Sequence, residues 1–69
     1  MQRYKGFTIE TIEDDPEKFK AVIRKADCST LRTVRPPGPD APAVTTLLYS
    51  RPEDAIVEAK RVIDAGGII

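Results

Sequence analysis

The 69-residue sequence contains no histidine, no tryptophan and a single cysteine, Cys28. Without histidine, the chain lacks the commonest general base and the commonest metal ligand. One cysteine can form no internal disulfide, and it cannot supply a thiolate cluster for zinc or an iron–sulfur centre. These absences exclude a disulfide-stabilised secreted scaffold and leave Cys28 with no base to activate it as a nucleophile. We therefore expect a protein that is not an enzyme and that holds no metal or other cofactor.

Long apolar runs and net charge are also missing. No stretch is apolar enough to span a bilayer, and the first ten residues lack the apolar core of a signal peptide. Eleven basic residues balance eleven acidic ones, so the net charge gives no long-range attraction to nucleic acid or to an anionic membrane. The charges are unevenly placed, since residues 18–35 contain six basic side chains and one acidic side chain. We predict a cytoplasmic protein without a membrane partner.

One segment cannot belong to a helix or to a central strand. Residues 36–43, PPGPDAPA, contain four prolines and one glycine. Proline has no backbone N–H and a fixed φ, so it interrupts both kinds of regular structure. We predict a proline-rich surface loop at residues 36–43 within a single small domain that covers residues 1–69.

The clearest helix follows the clearest strand. Residues 44–50, VTTLLYS, are rich in β-branched and aromatic residues, which is typical of a strand. Ser50 then stands three residues before Glu53, which predicts a capping box, and Pro52 suits the first turn. An apolar stripe of helical spacing continues to Ile63. The pair at residues 66–67 is Gly-Gly, and we expect one of these glycines to end the helix in the left-handed conformation.

The stretch from Asp15 to Leu31, DPEKFKAVIRKADCSTL, has two interpretations. A period of three to four residues places Phe19, Val22 and Ile23 on one face of a helix that Asp15 caps. A period of two places Phe19 and Ile23 on one face of a half-buried strand. Periodicity and capping favour the helix, but they leave both alternatives open.

Nearly the whole chain resembles a largely uncharacterised group of short bacterial proteins. The shared motifs are YKGF at residues 4–7, FKAVI at residues 19–23, an aspartate turn after it, and the segment EDAIVEAKRVIDAGG at residues 53–67. The resemblance implies an α+β fold in which a three-stranded antiparallel sheet packs against one C-terminal helix (βββα). The alternative is βαββα, with an extra helix at residues 16–26. In the group a glycine follows the aspartate of the turn, and here Cys28 holds that place, so we expect strain at a positive φ.

The same order of elements is found in the three-stranded DNA-binding domains of plant ethylene-response factors and of some phage integrases. The resemblance implies a sheet whose outer face lies in the DNA major groove. Thr8 and Glu10 stand where arginines would be expected on the first strand, and the chain has no tryptophan. Fold analogy alone does not determine function.

In the βββα arrangement one sheet face packs on the helix and the other faces outward. The sequence predicts this core: Phe7, Ile9, Phe19, Ala21, Ile23, Leu48, Ala55, Ile56, Ala59, Val62 and Ile63. The outer face carries Lys18, Lys20, Val22 and Arg24, joined by Tyr4 and, if Leu48 points inward, by Leu47 and Tyr49. The last residues, Ile68 and Ile69, either fold back on the core or contact another molecule.

Two functional hypotheses use this outer face. The first is a non-enzymatic interaction module that contacts another protein or a second copy of itself. Its proposed dimer contacts are Tyr4, Val22, Leu47 and Tyr49, because an apolar patch on a small protein is a candidate interface. The alternative is weak nucleic-acid binding, in which basic and aromatic side chains contact phosphates and bases. Its proposed binding residues are Lys18, Lys20, Arg24, Arg32, Arg35 and Tyr49, and we do not favour it because the domain has no net positive charge.

Overall fold

The computed structural model describes residues 1–34 and 36–69. Within them, four strands form one antiparallel sheet in the order β1-β2-β3-β4, and a C-terminal helix packs against one face. The elements are β1 (Gln2–Tyr4), β2 (Phe7–Asp15), β3 (Lys18–Lys25), β4 (Val44–Thr45) and α1 (Pro52–Asp64). The predicted α+β class, with an antiparallel sheet and one C-terminal helix, is confirmed.

The predicted first strand, residues 4–13, is in fact the end of one strand and most of another. Tyr4 pairs with Phe7 across a two-residue turn made by Lys5 and Gly6. Both turn residues have positive φ, +49° and +83°, as the tight turn between right-twisted strands requires. Glycine adopts this conformation without a Cβ clash, so the YKGF motif makes a hairpin.

The second predicted strand is also present, and the alternative helix at residues 16–26 is wrong. Asp15 pairs with Lys18 around a turn of Pro16 and Glu17, and Glu17 has a φ of +65°. A proline followed by a residue of positive φ is the signature of a type II turn. β3 then pairs with β2 on one side and β4 on the other, so Ala21 and Ile23 are buried in the centre of the sheet. Tertiary burial therefore overrides the helical periodicity of this stretch.

The core lies between the sheet and α1. Its buried members are Ile9, Ala21, Ile23, Leu31, Ala55, Ala59, Ile63 and Ile68. Six of these eight are in the predicted core, whereas Leu31 and Ile68 are not. The predicted burial of Leu48 is wrong, because this residue is 43% exposed.

The C-terminal residues fold back on the core. Arg32 and Ile69 exchange two backbone hydrogen bonds of 2.9 and 3.0 Å, and the Val34 N–H donates to the Gly67 carbonyl at 2.8 Å. This short ladder places Ile68 opposite Thr33, where its side chain is buried. Of the two alternatives for the last two residues, Ile68 joins the core and Ile69 remains half exposed.

The helix starts one residue later than a Ser50 cap would require. Arg51 is the N-cap, with φ −136° and ψ 139°, and its side chain makes no capping hydrogen bond. The cause is Pro52, because a residue that precedes proline is pushed into the extended region and therefore cannot be helical. The predicted capping box of Ser50 and Glu53 is thus wrong, while Pro52 occupies the first turn as predicted.

The other end of α1 follows the prediction. Gly66 has a φ of +71°, and its N–H donates to the Ile63 carbonyl at 3.1 Å. The Gly67 N–H donates to the Val62 carbonyl at 3.0 Å. These two bonds form the glycine-dependent C-terminal motif that satisfies the last helical carbonyls.

The turn after β3 places Cys28, a residue other than glycine, at a positive φ, as expected from the sequence. The Cys28 N–H donates to the Lys25 carbonyl at 3.0 Å, and Cys28 has a φ of +65°. The Asp27 carboxylate accepts hydrogen bonds from the Ser29 N–H at 3.0 Å and the Ser29 hydroxyl at 2.6 Å. These bonds hold the Asp27 pKa below its usual value, and they stabilise the turn.

Candidate functional site

The sheet face opposite α1, called the outer face, presents alternating residues of β2 and β3. Cross-strand pairing places Thr8 opposite Arg24, and Ile12 opposite Lys20. Val22 lies between these pairs and opposite Glu10. Although Val22 is on the outer face, only 4% of its surface is exposed. The outer face therefore has little accessible apolar area at Val22, and its exposed apolar side chain is Ile12, which is 39% exposed.

The basic side chains of the outer face have acidic neighbours. The Lys20 ammonium lies 3.8 Å from the Asp14 carboxylate, and the Arg24 guanidinium lies 3.4 Å from the Glu10 carboxylate. Such exposed ion pairs contribute little to stability. They do lower the positive potential of the face, which reduces its attraction for phosphate.

Of the remaining proposed basic residues, Lys18 shares the outer face with Lys20 and Arg24, because side chains two residues apart on a strand lie on one face, whereas Arg32 lies elsewhere. Lys18 is exposed at the start of β3 and pairs with Asp15 beside the turn. Arg32 lies 4.0 Å from Asp40, and it shares a small pocket with Lys25 rather than a place on the outer face. Arg35 lies outside the described residues.

Two aromatic residues expected on the outer face lie on the helix side instead. Tyr4 is in register with Phe7, packs against the core, and donates a hydrogen bond of 2.7 Å to Asp64 at the end of α1. Tyr49 also packs against the core, and it exchanges two backbone hydrogen bonds of 2.7 Å with Phe19. The expected outer-face placement of Tyr4 and Tyr49 is therefore wrong.

The misplacement of Tyr49 results from an irregularity at Thr46. Thr45 pairs with Val22, whereas Tyr49 pairs with Phe19, so the edge segment contains one more residue than β3 over the same distance. The Thr46 hydroxyl compensates, since it accepts the Ala21 N–H at 2.9 Å while the Thr46 N–H donates to the Ala21 carbonyl at 3.0 Å. An extra residue of this kind behaves as a β-bulge and reverses the side-chain alternation beyond it. Tyr49 therefore takes the inward place that a regular strand would give to Leu48.

A cleft opens between this edge segment and α1. Its volume is about 700 Å³. One side is lined by Val44, Leu47 and Tyr49, and the other by Arg61 and Val62 of the helix. Leu47 is 80% exposed at this cleft, and Leu48 beside it is 43% exposed. The sequence around them, residues 41–50, contains no charged residue, although charged residues make up 32% of the chain.

The rim of the cleft carries a pair of opposite charges on α1. The Arg61 guanidinium donates two hydrogen bonds to the Glu58 carboxylate, one of them 2.9 Å long from Nε. These bonds lower the pKa of Glu58 and raise the pKa of Arg61, so both groups stay charged around neutral pH. The cleft is thus apolar inside and has both signs of charge at its rim.

A second polar cluster joins the opposite edge of the sheet to the end of α1. The Asp64 carboxylate accepts hydrogen bonds from the Tyr4 hydroxyl at 2.7 Å and from the Lys5 ammonium at 2.6 Å. The hydrogen bond from Lys5, followed by that from Tyr4, holds the Asp64 pKa below its usual value. The Lys60 ammonium lies 5.2 Å from the centre of the Tyr4 ring. This cluster fastens the β1 hairpin to the helix.

Comparisons of the chain with protein-family models, with curated proteins and with solved structures return no match. The resemblance to short bacterial proteins and the analogy to DNA-binding sheets therefore stay predictions. Among residues 1–34 and 36–69, no helix is long and apolar enough to cross a membrane.

Proposed function

We propose that this protein is a non-enzymatic interaction module that associates with a second copy of itself through the β4 edge and its cleft. The observation that carries the proposal is the accessible apolar surface at Leu47, which is 80% exposed beside a cleft lined by Val44, Tyr49 and Val62. A small domain buries a limited part of its own apolar surface, and association covers more. The contact surface moves from the outer face to the edge because Val22 has little surface left to bury.

Two features favour a second copy as the partner. The formal net charge is zero, so two copies do not repel each other at long range. A two-fold interface brings the same patch of each subunit together, which requires a self-complementary surface. The edge meets this requirement because its exposed leucine, Leu47, lies next to an apolar cleft, so each copy offers both a protruding side chain and a cleft.

Sedimentation velocity over a concentration range of about 10 μM to about 1 mM tests the proposal, since small interfaces have affinities in this range. The expected result is a rise in mass from 7.6 kDa towards twice that value. Leu47→Glu should abolish the rise, because it places a charge in the apolar contact. Val57→Glu is the matched control, since Val57 is 64% exposed on the helix and does not line the cleft.

Three outcomes contradict the proposal. The wild-type protein could remain monomeric at the highest concentration, or both glutamate variants could behave alike. The third outcome is binding to a mixed-sequence DNA or RNA that weakens steeply as salt rises, with no self-association, which would favour the basic residues instead. An apolar dimer should tolerate the same salt.

A cytoplasmic location belongs to the same proposal. Cys28 is exposed and is not in a disulfide. Thiols stay reduced in the cytosol, whereas an exposed cysteine in an oxidising compartment is prone to form intermolecular disulfides. Fusion to a reporter that is active only in the cytosol tests this location, and activity of a periplasmic or secreted reporter instead would contradict it.

A further inference from the structure

We infer that the cleft between the edge segment at residues 44–49 and α1 binds a small neutral aromatic molecule with one hydroxyl group, and that this ligand and a second copy exclude each other. The ligand site goes beyond the proposed self-association, whereas the mutual exclusion rests on it. The ligand thus regulates the surface through which the protein associates.

The cleft has the size and the walls of a small-molecule site. Its volume is about 700 Å³, inside the range of about 300–1,000 Å³ that is typical of ligand pockets. An apolar cavity of about 150 Å³ is already sufficient for one benzene molecule. Val44 and Leu47 line one side and Val62 lines the other, and an apolar ligand gains affinity by displacing poorly ordered water from such walls. The cleft therefore has room for a molecule of one or two rings.

Two planar groups in the cleft favour an aromatic ligand. Tyr49 lines the side of the edge segment, and Arg61 lines the side of the helix. Aromatic rings pack on tyrosine in stacked or edge-to-face arrangements, and a guanidinium packs its flat face on a ring. Arg61 binds Glu58 through the edge of its guanidinium, at Nε and Nη2, which leaves its flat faces open to a ring. An aromatic ligand can therefore contact both groups.

The hydrogen-bonding groups at the rim select a hydroxyl. Within the part of the chain that the structure describes, neither the Tyr49 hydroxyl nor Nη1 of Arg61 has a hydrogen-bond partner. No buried polar side-chain atom of residues 1–34 and 36–69 lacks a partner, so the Tyr49 hydroxyl must reach the solvent. After the larger effect of Glu58, Tyr49 contributes to the raised pKa of Arg61, which places the two donors near each other. A ligand hydroxyl can accept from either donor and can donate to the Glu58 carboxylate.

The paired charges at the rim disfavour a charged ligand. Among the described residues that line the cleft, the charged ones are Glu58 and Arg61, and they are joined by a hydrogen bond of 2.9 Å. An anion that approaches Arg61 therefore also approaches Glu58, and a cation meets the reverse problem. A charged group loses hydration in an apolar cleft, and a pair whose charges sum to zero does not compensate this loss. A neutral head group avoids it.

A titration with three probes of similar shape tests the ligand class. The probes are para-cresol, which is neutral, para-toluate, which is an anion, and para-methylbenzylammonium, which is a cation. Isotope-labelled protein, kept below the concentration at which it associates, is titrated with each probe while NMR follows its amide shifts. For para-cresol we expect saturable shifts at Leu47, Tyr49, Arg61 and Val62 with a Kd of about 1 mM, as its small size implies. The two charged probes should bind at least about tenfold more weakly.

Two tyrosine variants form a matched pair. Tyr49→Phe keeps the ring and removes the hydroxyl, so it should weaken para-cresol binding about three- to tenfold. Tyr4→Phe removes the hydroxyl that donates to Asp64 and does not line the cleft, so it should leave the affinity unchanged. In sedimentation velocity at high protein concentration, saturating para-cresol should return the mass to 7.6 kDa.

The ligand site is overturned if para-cresol produces no saturable shifts, if the shifts lie outside the cleft, or if a charged probe binds as tightly. Equal effects of Tyr49→Phe and Tyr4→Phe also overturn it. Binding at the cleft with an unchanged dimer mass overturns the exclusion, while the ligand site stands. A protein that is monomeric without para-cresol but binds it at the cleft overturns the proposed self-association and the exclusion with it, so the two failures are distinguishable.

Discussion

The hydroxyl of Thr46 should be worth more to the stability of this domain than its partly exposed position suggests. It accepts the N–H of Ala21 at 2.9 Å and donates to the Leu47 carbonyl at 3.0 Å. Ala21 has no exposed surface, so its N–H has no access to water when the hydroxyl is removed. A buried donor without an acceptor costs about 1–3 kcal/mol. We therefore expect Thr46→Val, which keeps the shape but lacks the hydroxyl, to lower the free energy of unfolding by about 1–3 kcal/mol.

Thr46→Ser is the matched control because it keeps the hydroxyl and loses one methyl group, which costs about 0.8 kcal/mol at most. Urea denaturation followed by circular dichroism measures both variants. Thermal denaturation gives a second measure, with a shift of about 4–8 °C for each kcal/mol in a domain of this size. The reasoning is refuted if Thr46→Val is as stable as Thr46→Ser, because the Ala21 N–H would then have another partner.

Three further substitutions test the helix cap, the strained turn and the Asp64 cluster. Arg51→Asp should raise the free energy of unfolding by about 0.5–2 kcal/mol, because it supplies the missing N-cap acceptor; an unchanged urea midpoint would contradict this. Cys28→Gly should stabilise by up to about 1 kcal/mol, because relief of the positive-φ strain exceeds the entropy cost of glycine; a lower melting temperature would contradict it. Asp64→Asn should destabilise at neutral pH, because hydrogen bonds from Lys5 and Tyr4 depress the Asp64 pKa. A carboxylate whose pKa is lower in the folded state stabilises the fold at pH values above its unfolded-state pKa of about 3.9, and this stabilisation is lost as the pH falls through the folded-state pKa. The urea midpoints of wild type and variant should therefore converge in acid.

The elements with strong local signals could be predicted from the sequence. The stripe of α1 and the glycines after it define the helix, because both signals depend on neighbours within a few residues. The start of α1 differs from the prediction by one residue, since the effect of Pro52 on the backbone of Arg51 overrides the capping pattern around Ser50. The β1 hairpin has a weak signal because Lys5, which is not a residue that favours positive φ, shares its tight turn with Gly6.

The contacts that join distant segments could not be read from periodicity. Leu31 and Ile68 lie in short irregular segments, and they become core residues only because the two segments pair with each other and close one end of the domain. The ion pair of Arg24 and Glu10 depends on the register of β2 and β3. A bulge between Glu13 and Asp15 shifts this register by one residue relative to the turn at Pro16 and Glu17. The neutralisation of the outer face therefore could not be predicted from the turn alone.

The irregularity at Thr46 links the completion of the core to the proposed interface. A regular β4 would continue with Leu47 opposite Lys20 on the outer face and Leu48 opposite Phe19 on the helix side. The extra residue instead brings Tyr49 opposite Phe19, where it packs against the core and lines the cleft, and leaves Leu47 at the cleft mouth. Because the Thr46 hydroxyl replaces a ladder acceptor at Ala21, the chain gains this arrangement without burying an unpaired N–H. The apolar edge is therefore a consequence of how the core is closed, and a variant that straightens the edge should weaken both the fold and self-association.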